Sequence, residues 1–340
     1  MQGFDAVIAT YNRPEKVTGL VKSLLACEPA INKIVVVDSS DEINNALVGN
    51  ERIEYVRSNH KNQPYQRYLG YLKSQSEYIV FFDDDMEIVD PSFLALFQKV
   101  FEDETVIGIQ PKMKNLHDDA TIKIEKSLLA ALWEKDNFLV NSLRWLTMYP
   151  RLAYGKWWYC GIRGPKPENE ACNLEWVSGW AFAARRSAMF QNFNFQLFDL
   201  FEQKLGMGED LLLGHLLSKV GKVKYIPTLL FLHNDQRSST YTSDHFSFGR
   251  RTIFSRLFLS LEYARLNRKS SNLSKVIFIY YSLIRICGLA FNYILKQNHN
   301  TKRLMQGNIA GFKLALKFNY EPGVRFTEFW KNELNQNQNG

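Results

Sequence analysis

The sequence lacks several features that mark common classes of protein. It has only four cysteines in 340 residues, and their spacing fits neither a metal site nor a disulfide framework, which is typical of a reducing compartment. No glycine-rich loop follows the first apolar segment, which excludes a P-loop nucleotide-binding protein and a dinucleotide-binding Rossmann domain. Thr10 and Asn12 interrupt that segment, so we expect no signal peptide.

Acidic residues are almost absent from one part of the chain. Residues 246–317 contain thirteen lysines and arginines but only one acid, Glu262, whereas the whole chain has a formal net charge of +7. Within this part, residues 276–295 are almost wholly apolar and long enough to span a bilayer, although Arg285 interrupts them. The combination favours association with an anionic membrane surface, ahead of helix packing and of a true span.

The first third of the chain alternates between apolar strand patterns and amphipathic helix patterns. Strands are predicted over residues 4–9, 33–38, 53–56, 78–82 and 105–109, with helices from Pro14 and over 63–74 and 91–101. This alternation predicts the α/β class, with a doubly wound and mainly parallel sheet. Residues 113–176 break the rhythm, and it resumes near residues 175–184.

Polar and acidic residues follow the predicted strands. Three consecutive carboxylates, Asp83, Asp84 and Asp85, follow the strand predicted over residues 78–82. The strand over residues 4–9 is followed by Thr10, Tyr11, Asn12 and Arg13, and the strand over residues 33–38 ends in Asp38. Because the carboxyl ends of parallel strands share one edge of a sheet, we expect these side chains to lie together. Adjacent carboxylates repel each other unless a cation joins them, which favours a hard divalent cation that carries phosphate oxygens over a solvated acidic turn.

The ordered set of motifs resembles the family 2 glycosyltransferases of the GT-A fold. The segments that carry the resemblance are VIATYNRPEKV, VVVDSSD, NQPYQRYLGYLKSQSEYI and FFDDDMEI, followed by Gly179, Arg185-Arg186, Phe198-Asp199 and Gly208-Glu209-Asp210. They cover about residues 4–235. The acidic motif alone is weakly specific, but the ordered set is strongly specific.

The resemblance implies an inverting transfer of a sugar from a nucleotide diphosphate donor, expected to be UDP-linked, to a saccharide or lipid-linked acceptor. Asp85 would contact a Mn²⁺ or Mg²⁺ ion directly, and Asp83 would contact both the ribose and the metal. The remaining donor-binding residues would be Thr10, Tyr11, Asn12, Arg13, Asp38, Arg67 and Asp84, with Asp38 contacting the base and Arg13 suited to the diphosphate.

Two acids at the start of a later helix are candidates for the general base. The resemblance favours Asp210 over Glu209 as the group that takes the proton from the acceptor hydroxyl. The alternative is that the two acids have no catalytic role, since acidic residues are common in the first turn of a helix. For His233, a role as a further metal ligand and a structural role stay equally open, and His215 is expected to be structural.

Six of the seven tryptophans lie between residues 133 and 180. Indole rings stack on the faces of sugars, so the cluster favours an acceptor site over core filling, with Trp157, Trp158 and Trp180 as the strongest candidates. We therefore predict a GT-A catalytic domain over residues 1–245, with an acceptor-binding insertion at 113–176. A basic and apolar helical extension would follow over residues 246–340.

The sequence thus predicts a cytoplasmic enzyme bound peripherally to the inner face of a membrane, where it would extend a surface saccharide or a lipid-linked sugar. No nucleic-acid partner is expected, and the oligomeric state stays open. Two alternatives remain: a non-catalytic saccharide-binding or scaffold protein of the same fold, and a sugar-nucleotide nucleotidyltransferase. The second would need a glycine-rich basic loop where Thr10–Arg13 stands, and intact Asp83, Asp85 and Asp210 argue against the first.

Overall fold

The structure is a computed structural model of the chain. It describes residues 3–115, 152–234 and 244–324, together with residues 138, 141, 142, 146, 328, 330–332 and 335. Contacts between residues divide the chain into two compact units. The first unit comprises Met1–Lys114, Lys166–Asn234 and Glu321–Gly340, and the second comprises Asn115–Pro165 and Asp235–Tyr320.

Four parallel strands form one half of the sheet in the first unit. They are β1 (Phe4–Thr10), β2 (Lys33–Asp38), β3 (Ile53–Arg57) and β4 (Tyr78–Asp83), arranged in the order β3-β2-β1-β4. All seven residues of β1 are buried, as expected for a strand whose two faces are both covered. The predicted α/β class with a mostly parallel central region is confirmed, and the carboxyl ends of these strands lie along one edge.

The first two helices start where the sequence predicts, and the third starts two residues after the predicted residue 91. They are α1 (Pro14–Leu25), α2 (Gln63–Lys73) and α3 (Phe93–Phe101). Pro14 occupies the first turn of α1, where its missing N–H has no helical partner to lose. The Asn62 side chain caps α2 by accepting a hydrogen bond from the Tyr65 backbone N–H. These starting points hold Arg13 just before α1 and Arg67 one turn into α2.

The remaining strands, in chain order, are β5 (Met86–Ile88), β6 (Val106–Asn115), β7 (Trp157–Trp158), β8 (Ile162–Arg163), β9 (Cys172–Leu174), β10 (Ala181–Arg185) and β11 (Lys222–His233). The sheet continues as β4-β10-β6-β11-β5, with β9 paired to β11. Strand β10 is antiparallel to β4, and Ala181 lies opposite Phe82. The residues just before β10 therefore meet the acidic end of β4.

Two further helices complete the described part of the first unit, α4 (Gln196–Glu202) and α5 (Glu209–Val220). Residues near the C-terminus also belong to this unit. The Phe195 backbone N–H donates to the carbonyl of Val324, and the Trp330 side chain is buried. The end of the chain is therefore part of the body that carries the sheet.

Among the residues of the second unit from 152 to 165 and from 244 to 320, the structure describes three helices, α6 (His245–Leu266), α7 (Ser271–Lys296) and α8 (His299–Ala315), and the short antiparallel pair β7–β8. Most of the apolar side chains of α6 are buried. Helix α7 is long and apolar enough to cross a membrane, and 17% of its most apolar window is buried. The compact units do not follow the predicted boundary at residue 245, because residues 115–165 group with the helices. The division into functional domains stays a prediction.

Candidate active site at the carboxyl edge of the sheet

The ends of β1, β2 and β4 bring together the polar residues predicted from the sequence. Thr10 Oγ1 donates to Asp84 Oδ2 at 2.8 Å, which joins the first strand end to the acidic motif. Asn12 has a left-handed backbone, with φ of 52°, and its side chain donates to Asp41 at 2.9 Å. The loop after β1 is therefore tied both to the loop after β2 and to the end of β4.

A cavity of about 390 Å³ lies beside Asp38, which is the last residue of β2. The Asp38 carboxylate accepts hydrogen bonds from the Ser40 backbone N–H at 2.7 Å and from the Tyr55 hydroxyl, and it lies 3.4 Å from Arg57 Nη1. No local sequence pattern marks Tyr55 or Arg57 as residues of the site. These contacts fix Asp38 at the wall of a cavity whose size suits a small molecule.

Two of the consecutive acids and one histidine form a group that could hold a metal ion. The ligand atoms of Asp83, Asp85 and His233 all lie within 4.8 Å of one another, and His233 Nε2 is 3.1 Å from Asp85 Oδ1. Strand β11 brings His233 to this place, because it pairs with β5 immediately after the acidic motif, with His233 opposite Met86. Two carboxylates and an imidazole form a donor set that suits Mn²⁺.

Arg13 supplies a positive charge beside the same carboxylates. Its Nη1 atom lies 3.0 Å from Asp84 Oδ1 and 2.8 Å from Asp85 Oδ2. The Arg13 side chain is one third exposed, whereas both carboxylates are buried. Arg13 therefore reaches the acids from the solvent side of the site.

The electrostatics of the three acids differ. Burial raises the pKa of Asp83 to about 7 against the opposing charge of Arg67, with Asp85 and Asp84 adding to the rise. Burial likewise raises the pKa of Asp84. Burial also acts on Asp85, but the hydrogen bond and charge of His233 outweigh it and lower the pKa of that carboxyl. A bound cation would offset the repulsion that raises the pKa of Asp83.

Arg67 connects the acidic motif after β4 with the acidic pair at the start of α5. Its Nη2 atom donates to Asp83 Oδ1 at 2.6 Å and to the Gly179 carbonyl at 2.7 Å, and Nη1 donates to Glu209 Oε1 at 2.7 Å. The side chain is 1% exposed. Burial acts against its charge, but the carboxylates of Asp83 and Glu209 raise the pKa of Arg67. The two acidic motifs are thus held on one buried cation.

The two acids of the Glu209-Asp210 pair have different partners. Glu209 is buried and ion-paired with Arg67, whereas Asp210 accepts a hydrogen bond from the Gly179 backbone N–H at 3.0 Å. Gly179 itself lies so close that a Cβ atom there would stand 3.1 Å from the Arg67 guanidinium. The absence of a side chain at Gly179 therefore leaves room for the Arg67 guanidinium and for Asp210.

Trp180 contacts the metal-ligand group in a way that the sequence did not predict. Its indole stacks on the His233 imidazole, and its backbone carbonyl accepts a hydrogen bond from the Asp83 N–H at 2.9 Å. Gln63 was also not identified, although its Nε2 atom donates to Asp83 Oδ1 at 2.8 Å. Both contacts join residues far apart in the chain, and a local pattern does not encode such contacts.

The other predicted residues lie elsewhere. Trp157 and Trp158 belong to the second unit, where Trp157 is buried against Tyr263 and Trp158 is half-buried. The burial of Trp157 is what core filling would produce, and Trp158 stays a predicted acceptor residue. His215 is buried within α5, and burial lowers its pKa to about 3, which agrees with the structural role expected for it.

Comparison with known proteins gives one match in sequence families and several in fold. Residues 5–153 match the family model described as glycosyl transferase family 2. No curated protein matches the sequence. The crystal structure of S. aureus TarS 1-349 is similar with a TM-score of 0.52 at 11% identity, covering 92% of this chain and 80% of that one. At that identity the likeness concerns the fold alone.

Two other solved structures are similar at a lower score. One is S. aureus TarS 1-349 in complex with UDP-GlcNAc, with a TM-score of 0.48, 13% identity, and coverage of 92% of this chain and 81% of that one. The other is the mannosyltransferase PcManGT from Pyrobaculum calidifontis in complex with GDP-Man and Mn²⁺, with a TM-score of 0.48, 13% identity, and coverage of 92% and 86%.

Proposed function

We propose that this glycosyltransferase, whose residues 5–153 match the glycosyl transferase family 2 model, transfers a sugar, with inversion, from a nucleotide diphosphate donor to a saccharide or lipid-linked acceptor. One observation carries the proposal. Arg67 holds Asp83 of the candidate metal group and Glu209 of the candidate base pair on a single guanidinium. Donor activation and acceptor deprotonation are therefore assigned to neighbouring side chains.

The donor nucleotide occupies the cavity beside Asp38. Thr10, Asn12 and Asp38 line that cavity, and its volume of about 390 Å³ suits a nucleoside. Tyr11, between Thr10 and Asn12, is exposed. The Lys61 ammonium lies over its ring, 4.5 Å from the ring centroid. The Asp38 carboxylate is held in place by the Ser40 backbone N–H and the Tyr55 hydroxyl. It is therefore well suited to accept a further hydrogen bond from a base N–H or a ribose hydroxyl. We expect a UDP-linked sugar.

Asp83, Asp85 and His233 would hold a divalent cation, Mn²⁺ or Mg²⁺. Their donor atoms form a compact group. Among the three consecutive acids, Asp85 is the one whose pKa is lowered. When bound, the cation acts as a Lewis acid on the departing diphosphate. Arg13 moves its charge from Asp84 and Asp85 towards the donor phosphates, and Trp180 keeps the imidazole of His233 in its orientation.

Asp210 acts as the general base and Glu209 as a positioning residue. Glu209 is committed to Arg67, whereas Asp210 accepts only backbone N–H groups among the hydrogen bonds that the structure describes for it. The acceptor oxygen forms its bond to the anomeric carbon as the bond to the diphosphate breaks, and its proton passes to Asp210. Attack from the face opposite the leaving group inverts the anomeric configuration.

We infer a cytoplasmic location at the inner face of a membrane. The cytoplasmic leaflet is anionic and attracts clustered lysines and arginines, and residues 246–317 carry thirteen of them against one acid. A lipid-linked sugar or a growing surface saccharide is the acceptor expected at such a surface. Trp158 remains the candidate for stacking on the acceptor sugar.

A donor screen tests the proposal. The full chain is incubated with a panel of UDP-, GDP- and dTDP-sugars and with Mn²⁺ or Mg²⁺, and release of the nucleoside diphosphate is measured. We expect release from one donor, loss of release in EDTA and in Asp85→Ala, and retention in Asp103→Ala, which removes an exposed carboxylate beyond α3. Absence of release from every donor, or full activity of Asp85→Ala, would contradict the proposal.

A further inference from the structure

Helix α7 buries mainly small polar side chains and exposes many large apolar ones. The buried residues of α7 are Ser274, Phe278 and Ser282, of which two are serines. Its outer face, by contrast, includes large apolar residues that are 48% to 70% exposed, namely Leu273, Val276, Leu283, Phe291, Ile294 and Leu295. A helix that faces water on one side normally shows the reverse arrangement.

Two buried residues of α7, Ser274 and Phe278, contact its neighbours in the second unit. Ser274 Oγ donates to the Ser260 carbonyl at 3.2 Å, and Ser260 Oγ donates to the Ser274 carbonyl at 3.3 Å. Phe278 packs against Phe312 with ring centroids 6.0 Å apart. These contacts fix the rotation of α7 about its axis, so the outward orientation of the apolar face is set by packing.

The charge of the helices in the second unit indicates what covers the outer face of α7. Helices α7 and α8 together contain no acid and carry six basic residues: Lys275, Arg285, Lys296, Lys302, Arg303 and Lys313. A second copy of this chain would bring the same positive charges together, which costs energy. A surface that is apolar inside and anionic at its boundary satisfies both the outer face and the basic residues.

We propose that the outer face of α7 lies in the interfacial region of an anionic lipid bilayer, with the helix parallel to the membrane. A helix of 26 residues is about 39 Å long, so it could span a bilayer by length alone. Its first half, however, is packed against α6 and α8, and Arg285 stands near its middle. A span would have to break those contacts, whereas an interfacial position keeps them. The inference deepens the proposed function by naming the surface through which the enzyme meets its membrane.

The test is flotation of the full chain with vesicles of phosphatidylcholine and phosphatidylglycerol. The informative variant is Val276→Glu/Leu283→Glu/Ile294→Glu on the outer face. Its matched control is Val48→Glu/Val89→Glu/Val220→Glu, which adds the same charge at apolar residues of the first unit that are 47% to 55% exposed. We expect the outer-face variant to need about tenfold or more lipid for half-maximal flotation, whereas the control behaves as the wild type.

The possible outcomes are distinct. Equal flotation of the outer-face variant and the control would overturn the proposal, as would wild-type protein that stays bound after alkaline carbonate extraction, since that indicates a span. A wild-type dimer that dissociates in the variant, without any vesicle binding, would assign the face to a second copy and also overturn it. Thermal unfolding checks that both variants fold. Release of nucleoside diphosphate from a soluble donor needs no vesicle, so failure of the proposed function is detected separately.

Discussion

The indole ring of Trp180 lies flat against the imidazole of His233, with ring centroids 4.2 Å apart and planes 9° from parallel. Neighbours that orient a ligating histidine affect metal affinity, typically by about 10- to 100-fold. We expect Trp180→Ala to weaken Mn²⁺ binding by about tenfold. Trp180→Phe, which keeps a ring, should restore most of the affinity. Calorimetric titration with Mn²⁺ in the absence of donor measures the effect, and unchanged affinity in Trp180→Ala would mean that the stack has no part in metal binding.

Arg13 and a divalent cation would compete for the same carboxylate. Arg13 Nη1 lies 2.8 Å from Asp85 Oδ2, and the side chain is one third exposed, so solvent weakens the interaction. Removal of the charge in Arg13→Met should therefore tighten Mn²⁺ binding in the absence of nucleotide by about fivefold, or ~1 kcal/mol. The same variant should bind UDP more weakly in the presence of Mn²⁺.

Arg13→Lys is the control for the Arg13 experiment, because it keeps the charge but loses the planar fork. Titrations of Mn²⁺ with and without UDP give the coupling between the two ligands, which must be the same whichever ligand is added first. Weaker Mn²⁺ binding in Arg13→Met would show that Arg13 positions Asp85 and does not compete with the cation.

Substitutions at Asp210 and at Glu209 should have different effects on kcat and on stability. Asp210→Asn keeps the size of the side chain but cannot take a proton, so kcat should fall by roughly a hundredfold or more while the donor KM changes little. Glu209→Gln removes the charge that faces Arg67, and it should lower stability more than it lowers kcat. Steady-state transfer assays with urea unfolding of both variants test this. The opposite pattern would exchange the two roles.

The sheet and its acidic edge could be predicted because both are local patterns. Strand β2 has the predicted bounds, and β1 and β4 extend one residue beyond theirs. Long apolar runs that end in polar residues are what a buried parallel strand requires, so the position of Asp38 and Asp83 follows from the sequence. That Gly208-Glu209-Asp210 lies close to the acidic residues after β4 could be inferred only through the family resemblance.

The contacts across the sheet could not be predicted from local patterns. Residues 175–180 were expected to resume regular structure, but the strand there begins at Ala181, and Gly179 and Trp180 lie in the preceding loop at the end of β4. Their roles depend on the antiparallel pairing of β10 with β4, which the hydrophobic pattern of either strand alone does not specify. Which face of α7 is exposed likewise depends on which of its faces packs against the neighbouring helices.

Arg67 should be essential to the stability of the first unit as well as to its chemistry. It is 1% exposed and holds both Asp83 and Glu209. Arg67→Met would leave two carboxylates without their shared cation, and it should lower the free energy of unfolding by about 3–5 kcal/mol. Arg57→Met, whose side chain is 36% exposed beside Asp38, should cost less than about 1 kcal/mol. Urea unfolding compares the two, and equal losses would contradict the assigned role.

Trp330 ties the C-terminal segment to the first unit. Its ring is 1% exposed and packs against His60, Tyr65 and Phe198, and Nε1 donates to Asp199 Oδ1 at 3.1 Å. The sequence placed this residue in the helical extension, because no local pattern marks a segment that returns to an earlier part of the chain. Truncation at residue 245 would therefore remove a buried side chain of the first unit, so loss of activity in such a fragment would not report on membrane binding.

Trp330→Ala should consequently lower the free energy of unfolding by about 3–5 kcal/mol, the usual cost of deleting a buried aromatic side chain. Trp330→Phe keeps the ring contacts but loses the hydrogen bond to Asp199, so its cost should be about 1–2 kcal/mol. Lys331→Ala, at the exposed neighbouring position, should change the free energy by less than about 0.5 kcal/mol. Urea unfolding measures all three, monitored by far-UV circular dichroism because the Trp330 variants lose a tryptophan and so change the fluorescence signal. If Trp330→Ala unfolds at the same urea concentration as Lys331→Ala, the C-terminal segment does not stabilise the first unit.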